Sequence, residues 1–176
     1  MKKLIFLFLL ACIGGFVYAP FQATDRYAAA VASHDAKTVL GLTDVVAYRE
    51  SLKEALRPAL ADYIRLVAPV NQPSAKTQAD TVSGTLFFEK QLDLLVSAEN
   101  PEKFLNAAHD QSEKNDFVFP NRGWRSPLVF VAVDNRAETK RVFEFQGLAG
   151  WKLTKIEASR DMLRKECERL LKMVRK

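Results

Sequence analysis

The spacing of apolar residues changes once along this chain, and that change limits the folds open to it. Val45, Tyr48, Leu52, Leu56, Leu60, Tyr63 and Val67 recur every three or four positions, the period of one helix face. A second amphipathic segment runs from about Asp80 to Ala98, centred on Leu86-Phe87-Phe88 and Leu92-Asp93-Leu94-Leu95. From Leu128 the period falls to two. Leu128–Val133 is rich in β-branched and aromatic residues. Arg141–Phe145 sets Val142 on one face and Phe143 and Phe145 on the other, and Trp151–Ile156 alternates in the same way. Helices first and strands last predict an α+β fold, with N-terminal helices packed on a C-terminal antiparallel meander of three to four strands. Phe117–Phe119 is the candidate fourth strand, an edge strand ended by Pro120.

Local signals divide the helical part. Phe21–Ser33 reads as helix, with Tyr27 and Val31 four residues apart among alanines. Ser33-His34-Asp35 has the residue types of a catalytic triad, but adjacent side chains diverge; the segment reads as a turn whose Asp35 caps a short helix, Ala36–Leu42. Asp44 caps the long helix to about Val67, and Pro58 should kink or divide it. Ala68–Ala79, with two prolines and no periodicity, reads as a loop. Asn100-Pro101-Glu102 restarts a helix over Phe104, Leu105 and Ala108, which His109 ends as a C-terminal cap or surface residue. Gln111–Asp116 reads as loop, and Asp134-Asn135-Arg136 and Gln146–Gly150 read as turns between strands.

The first segment is an address. Lys2 and Lys3 precede sixteen uncharged residues, Leu4–Ala19, the layout of a bacterial export signal. Gly14-Gly15 could end the apolar helix, and Val17-Tyr18-Ala19 offers a cleavage site, but Pro20 would then be the first mature residue. Carried through Phe21, the helix spans about 27 Å, close to a bilayer core of about 30 Å, which favours an uncleaved anchor. Leu10-Ala11-Cys12 resembles a lipoprotein site, but acylation there would leave Ile13–Ala19 exposed beside the lipid. The expected location is the periplasm with an inner-membrane anchor; the alternative is secretion after cleavage following Ala19. Cys167 is the other cysteine, so no disulfide can form within the exported body.

The net charge of +5 suggests nucleic acid until it is partitioned. Lys2, Lys3 and the seven basic residues of Ser159–Lys176 lie at the two ends, and the intervening body holds 17 basic and 18 acidic residues. A body of net −1 has no excess cation to displace phosphate counterions, so no nucleic-acid partner is expected. In the closing segment Met162, Leu163, Cys167, Leu170, Leu171 and Val174 recur at helical spacing, with Arg164, Lys165, Arg169 and Lys172 among the charged positions. This basic amphipathic helix could meet an anionic membrane, a partner helix or its own domain. The division expected is a signal or anchor over 1–20, one α+β domain over 21–158 and a helical tail over 159–176.

No constellation for catalysis, metal or cofactor binding stands out. Ser51 lacks a histidine or lysine placed by spacing to activate it. Arg49 and Lys53, a turn apart beside Glu50 and Glu54, read as a solvated face, or as a pin between helix and sheet if one is buried. The best surface candidate is the loop around Gly123, where Arg122 and Arg125 flank Trp124 and could hold an anionic group or lipid headgroups. The aromatics Phe143, Phe145 and Trp151 either fill the core or line an apolar pocket between helix and curved sheet.

A set of features recurs in a fixed order: Tyr18-Ala19-Pro20, an alanine-rich helix, Asp35-Ala36 with Val39-Leu40, Arg49-Glu50-Ser51-Leu52-Lys53, Asn100-Pro101-Glu102, and Phe145…Gly147-Leu148…Gly150-Trp151-Lys152-Leu153. In these residues the chain resembles the bacterial family called domain of unknown function 2939, over roughly Tyr18 to Glu157. The resemblance implies a small membrane-anchored or exported protein and carries over no catalytic residue; the charged C-terminal extension departs from it. The closing strand and long helix are also similar to the cone-shaped nuclear-transport-factor-like superfamily, by fold-level analogy.

Two functions follow as expectations. The first is a non-enzymatic envelope module that binds a partner or the membrane, and whose domain stays folded without Ser159–Lys176. The second is a small-ligand carrier or enzyme with a cavity between helix and sheet.

Overall fold

The computed structural model describes residues 2–67, 74–109, 117–134 and 139–174. Among them are five helices, then four strands, then a sixth helix: α1 (Lys2–Ala32), α2 (Ala36–Gly41), α3 (Val45–Val67), α4 (Ser74–Leu95), α5 (Pro101–Ala108), β1 (Asn121–Ser126), β2 (Val129–Val133), β3 (Lys140–Phe145), β4 (Trp151–Glu157) and α6 (Arg160–Val174). The fold is α+β. The strands form an antiparallel meander in the order β1-β2-β3-β4.

The caps form where the sequence places them. Asp35 accepts from the Thr38 N–H, Asp44 from Ala47 and Asn100 from Lys103, each occupying one donor of an open helix end. His34 takes a left-handed φ of 58° in the turn between α1 and α2. Pro58 lies inside α3 without dividing it.

Three expectations about elements need correction. Gly14-Gly15 does not end the apolar helix: α1 runs through both glycines and through Pro20 into the domain, 31 residues in all. The boundary expected at 20/21 therefore falls inside one helix. The segment 74–79 belongs to α4 rather than to a loop; Ala, Lys and Gln favour helix there without an apolar stripe to reveal it. The first strand is Asn121–Ser126, while Phe117–Phe119 is not a strand; its Phe117 and Phe119 are buried side chains. The expected loops at 68–73 and 111–116 and the turn residues 135–136 lie outside the described residues.

The core lies between the helices and one face of the sheet, with Tyr27, Tyr48, Leu52, Leu56, Phe104, Phe130, Phe143 and Leu153 fully enclosed. The linker between α2 and α3 pairs with β4: Leu153 donates to the Leu42 carbonyl and Asp44 donates back to Leu153, both at 2.9 Å. That pairing covers an edge otherwise open to another strand. Arg49 and Lys53 reach Asp93 of α4 at 3.2 and 2.6 Å, so they join two helices rather than helix to sheet.

The closing helix is part of this core. Cys167 and Leu170 are fully buried, and α6 packs on α3. Arg169 donates to the Asn106 and Ala107 carbonyls at the end of α5, at 2.7 and 2.6 Å, and also pairs with Glu166. Arg169 thereby caps the last turn of α5 from α6. The expectation that the domain stays folded without 159–176 is at odds with this burial.

Candidate functional site

Two arrangements stand apart from ordinary core packing. The first lies where α1 enters the domain. Phe16 of α1 stacks near Trp124 of β1, meets Phe145 of β3 edge-on at 5.3 Å between ring centroids, and lies 6.0 Å from Trp151 of β4. Trp124 and Trp151 are themselves edge-to-face at 5.3 Å. Five residues further along α1, Phe21 meets Phe130 at 4.7 Å; six more bring Tyr27 against Phe143. The helix thus runs down the sheet, and its free apolar half projects past the end formed by the β1–β2 and β3–β4 turns.

Arg122 locks this arrangement. Its guanidinium pairs with Asp25, donates to the Thr24 hydroxyl at 3.0 Å and lies over the Phe21 ring. Across the sheet, Arg125 of β1 pairs bidentately with Glu157 of β4, at 2.7 and 2.8 Å. Arg122, Trp124 and Arg125 therefore sit on a strand, not a loop. The two cations serve the fold, and Trp124 divides its surface between the aromatic cluster and solvent.

The second arrangement is a polar group inside the core. Arg141 is only 3% exposed, and its Nη2 donates to His109 Nδ1 at 3.3 Å. An arginine can only donate, so Nδ1 is the acceptor and the proton sits on Nε2, which donates to the Tyr27 hydroxyl at 2.8 Å. The guanidinium also stacks over Phe117 at 5.3 Å, and its Nε and Nη1 have no hydrogen-bond partner. Tyr48 is buried beside it, and burial pushes its phenol up from the ordinary tyrosine value. His109 caps α5 with its backbone as expected, but its ring is buried rather than on the surface.

Sequence reasoning missed this cluster although part of its signal was present. With a period of two, Arg141 falls on the same face as Phe143 and Phe145, the face that meets the helices. A cation on a core-facing position is the anomaly to follow. No spacing pattern, by contrast, links His109 to a residue 82 positions earlier.

The remaining candidates are placed as follows. Phe143 is fully buried, Trp151 nearly so and Phe145 half-buried, all within the aromatic packing around α1. Two described cavities lie elsewhere. One, of about 620 Å³, is a groove between α3 and α6 lined by Ala55, Pro58, Ala59, Leu163 and Arg164. The other is a shallow depression of about 500 Å³ beside Arg122, Gly123 and Arg125. Arg164 and Lys165 are exposed on α6, Arg169 is engaged with α5, and the Lys172 side chain lies outside the described residues. Ser51 Oγ accepts from the Ile156 N–H at 3.3 Å and so ties α3 to β4.

The α1 helix is long and apolar enough to cross a membrane or to serve as a signal. Comparison with family models, with curated proteins and with solved structures finds no match.

Proposed function

We propose that this protein is a non-enzymatic bacterial envelope module, held on the inner membrane by an uncleaved α1 with its domain in the periplasm, and acting by binding a partner or the membrane surface. The observation that carries this reading is the continuity of α1, whose apolar N-terminal half leads into residues that pack on the sheet. Cleavage after Ala19 would remove Phe16 from between Trp124, Phe145 and Trp151. The exposed Arg164 and Lys165, beside the groove between α3 and α6, offer a cationic surface for a partner or an anionic headgroup layer. The full chain should stay in the membrane pellet after alkaline carbonate washing, and its domain should be digested by protease added from the periplasmic side. Release into the wash, or protection from that protease, would contradict the reading.

A second reading is favoured by one observation: the buried Arg141 keeps two donor nitrogens without partners beside Tyr27, Tyr48 and His109, although the buried Asp134 and the Tyr48 phenol also act on its guanidinium. Such a group suits a small anionic ligand between helix and sheet. Millimolar acetate or phosphate should then raise the melting temperature of the native protein and leave that of Arg141→Met unchanged. Equal responses would remove this second reading.

A further inference from the structure

The position of the domain relative to the bilayer follows from where α1 becomes committed to the sheet. Phe16 already packs on Trp124, Phe145 and Trp151, so the helix stands clear of the domain only over Lys2–Gly15. Fourteen residues rise about 21 Å. A hydrocarbon core is about 30 Å thick. The roughly 9 Å missing must come from the part of α1 that lies against the sheet, or from thinning of the bilayer. A domain seated against the bilayer, rather than held off it on a tether, keeps that shortfall smallest.

The sheet end that would then meet the lipid has a matching surface. The β1–β2 turn carries Leu128, and the β3–β4 turn carries Leu148 between Gly147 and Gly150. Both turns lie at the end past which α1 projects, and the Phe145 N–H donates to the Leu128 carbonyl at 3.0 Å, joining one turn to the other. Leu148 is completely exposed, Leu128 is about half exposed, and on α1 Val17 and Tyr18 are exposed alongside. Gly147 and Gly150 both adopt positive φ, which holds the intervening Leu148 outward on a tight turn. Three of the charges near this end are engaged within the domain, Lys152 with the Gly41 carbonyl, Asp44 with Gln146 at 2.6 Å and Arg125 with Glu157, while the half-buried Glu144 is left to be solvated in the headgroup layer. Trp124 and Tyr18 are the residue types that settle at the headgroup level.

We propose that the end of the sheet bearing Leu128 and Leu148 is a lipid-docking surface, seated in the headgroup region of the same bilayer that α1 crosses. The proposal rests on the anchor reading and deepens it: the domain is not suspended on a tether but fixed in height and tilt, with the opposite end of the sheet facing away from the membrane. Two leucines on rigid turns and one helix give three points of attachment.

The test is a depth measurement on the full chain in vesicles of phosphatidylethanolamine with a minority of phosphatidylglycerol. A Cys12→Ser background receives single spin labels at Leu9→Cys, Leu128→Cys, Leu148→Cys and, beyond the far end of α1, Lys37→Cys. Collision with dissolved oxygen is compared with collision with a water-soluble nickel chelate. Labels at positions 9, 128 and 148 should favour oxygen, and the label at 37 should favour nickel. If position 9 favours oxygen while 128 and 148 match 37, the anchor stands and the docking surface is wrong. If position 9 also favours nickel, both fail together. Circular dichroism of each variant confirms the fold, and the exposed turn positions make its loss unexpected.

Discussion

Arg141 shows what one residue can do when its side chain is buried: among the described residues no carboxylate lies at hydrogen-bond distance, and the buried Asp134 acts on it through space. Its contacts are His109, the Phe117 ring and the tyrosines around it, so removing one partner and removing the charge itself should have different costs. His109→Ala would strand both the guanidinium and the Tyr27 hydroxyl, and is expected to cost about 2–3 kcal/mol in urea unfolding. Arg141→Met should cost less, because it removes the buried charge and keeps the apolar stem. Asp44 makes a prediction about acid. The Ala47 N–H first, and the Gln146 amide second, hold its carboxyl below the usual carboxylate range. A carboxyl lowered on folding adds stability above its unfolded value of about 4, and that stability is lost as pH falls through the lower folded value. Asp44→Asn should keep the cap and flatten this acid-side loss; Asp44→Ala should also cost about 1 kcal/mol at neutral pH. The caps at Asp35, Asp44 and Asn100 were legible because they depend on neighbours two or three residues away. The Arg141 cluster was not, because α1, α5 and β3 assemble it from distant segments.

Elements were legible where propensity and apolar spacing agreed. The helix over Val45–Val67 and strands β2 to β4 meet that condition. The start of α4 has propensity without a stripe, and β1 has neither: Asn121-Arg122-Gly123-Trp124-Arg125-Ser126 contains no β-branched residue and is made a strand by pairing with β2. The stripe of α6 was plain, but its occupant was left open among membrane, partner and domain; Cys167 and Leu170 now place it against α3. Leu170→Ala should therefore cost about 2–5 kcal/mol, a loss that an exposed tail would not show. Burial, with help from Glu168 and Glu166, pushes the Cys167 thiol up to about 11, so alkylation at mildly alkaline pH should require unfolding. Rapid labelling of the native protein at Cys167 would contradict the packing of α6. Phe16→Ala, which empties one side of the aromatic cluster at the half-buried end of α1, should cost about 1–2 kcal/mol.

For the whole molecule, the two cationic ends of the sequence turn out to differ in kind. The first leads an apolar helix long enough for a bilayer, while the second belongs to a helix that closes the core. The order of helices before strands was enough to give the α+β class, yet it could not show that the helix expected as an address also packs on the sheet. The central proposal is that this helix serves both uses, and mass spectrometry of the protein extracted from native membranes tests it most directly. The account predicts a mature chain in which Phe16 remains covalently continuous with Tyr27. A mature chain beginning at Pro20 would contradict it.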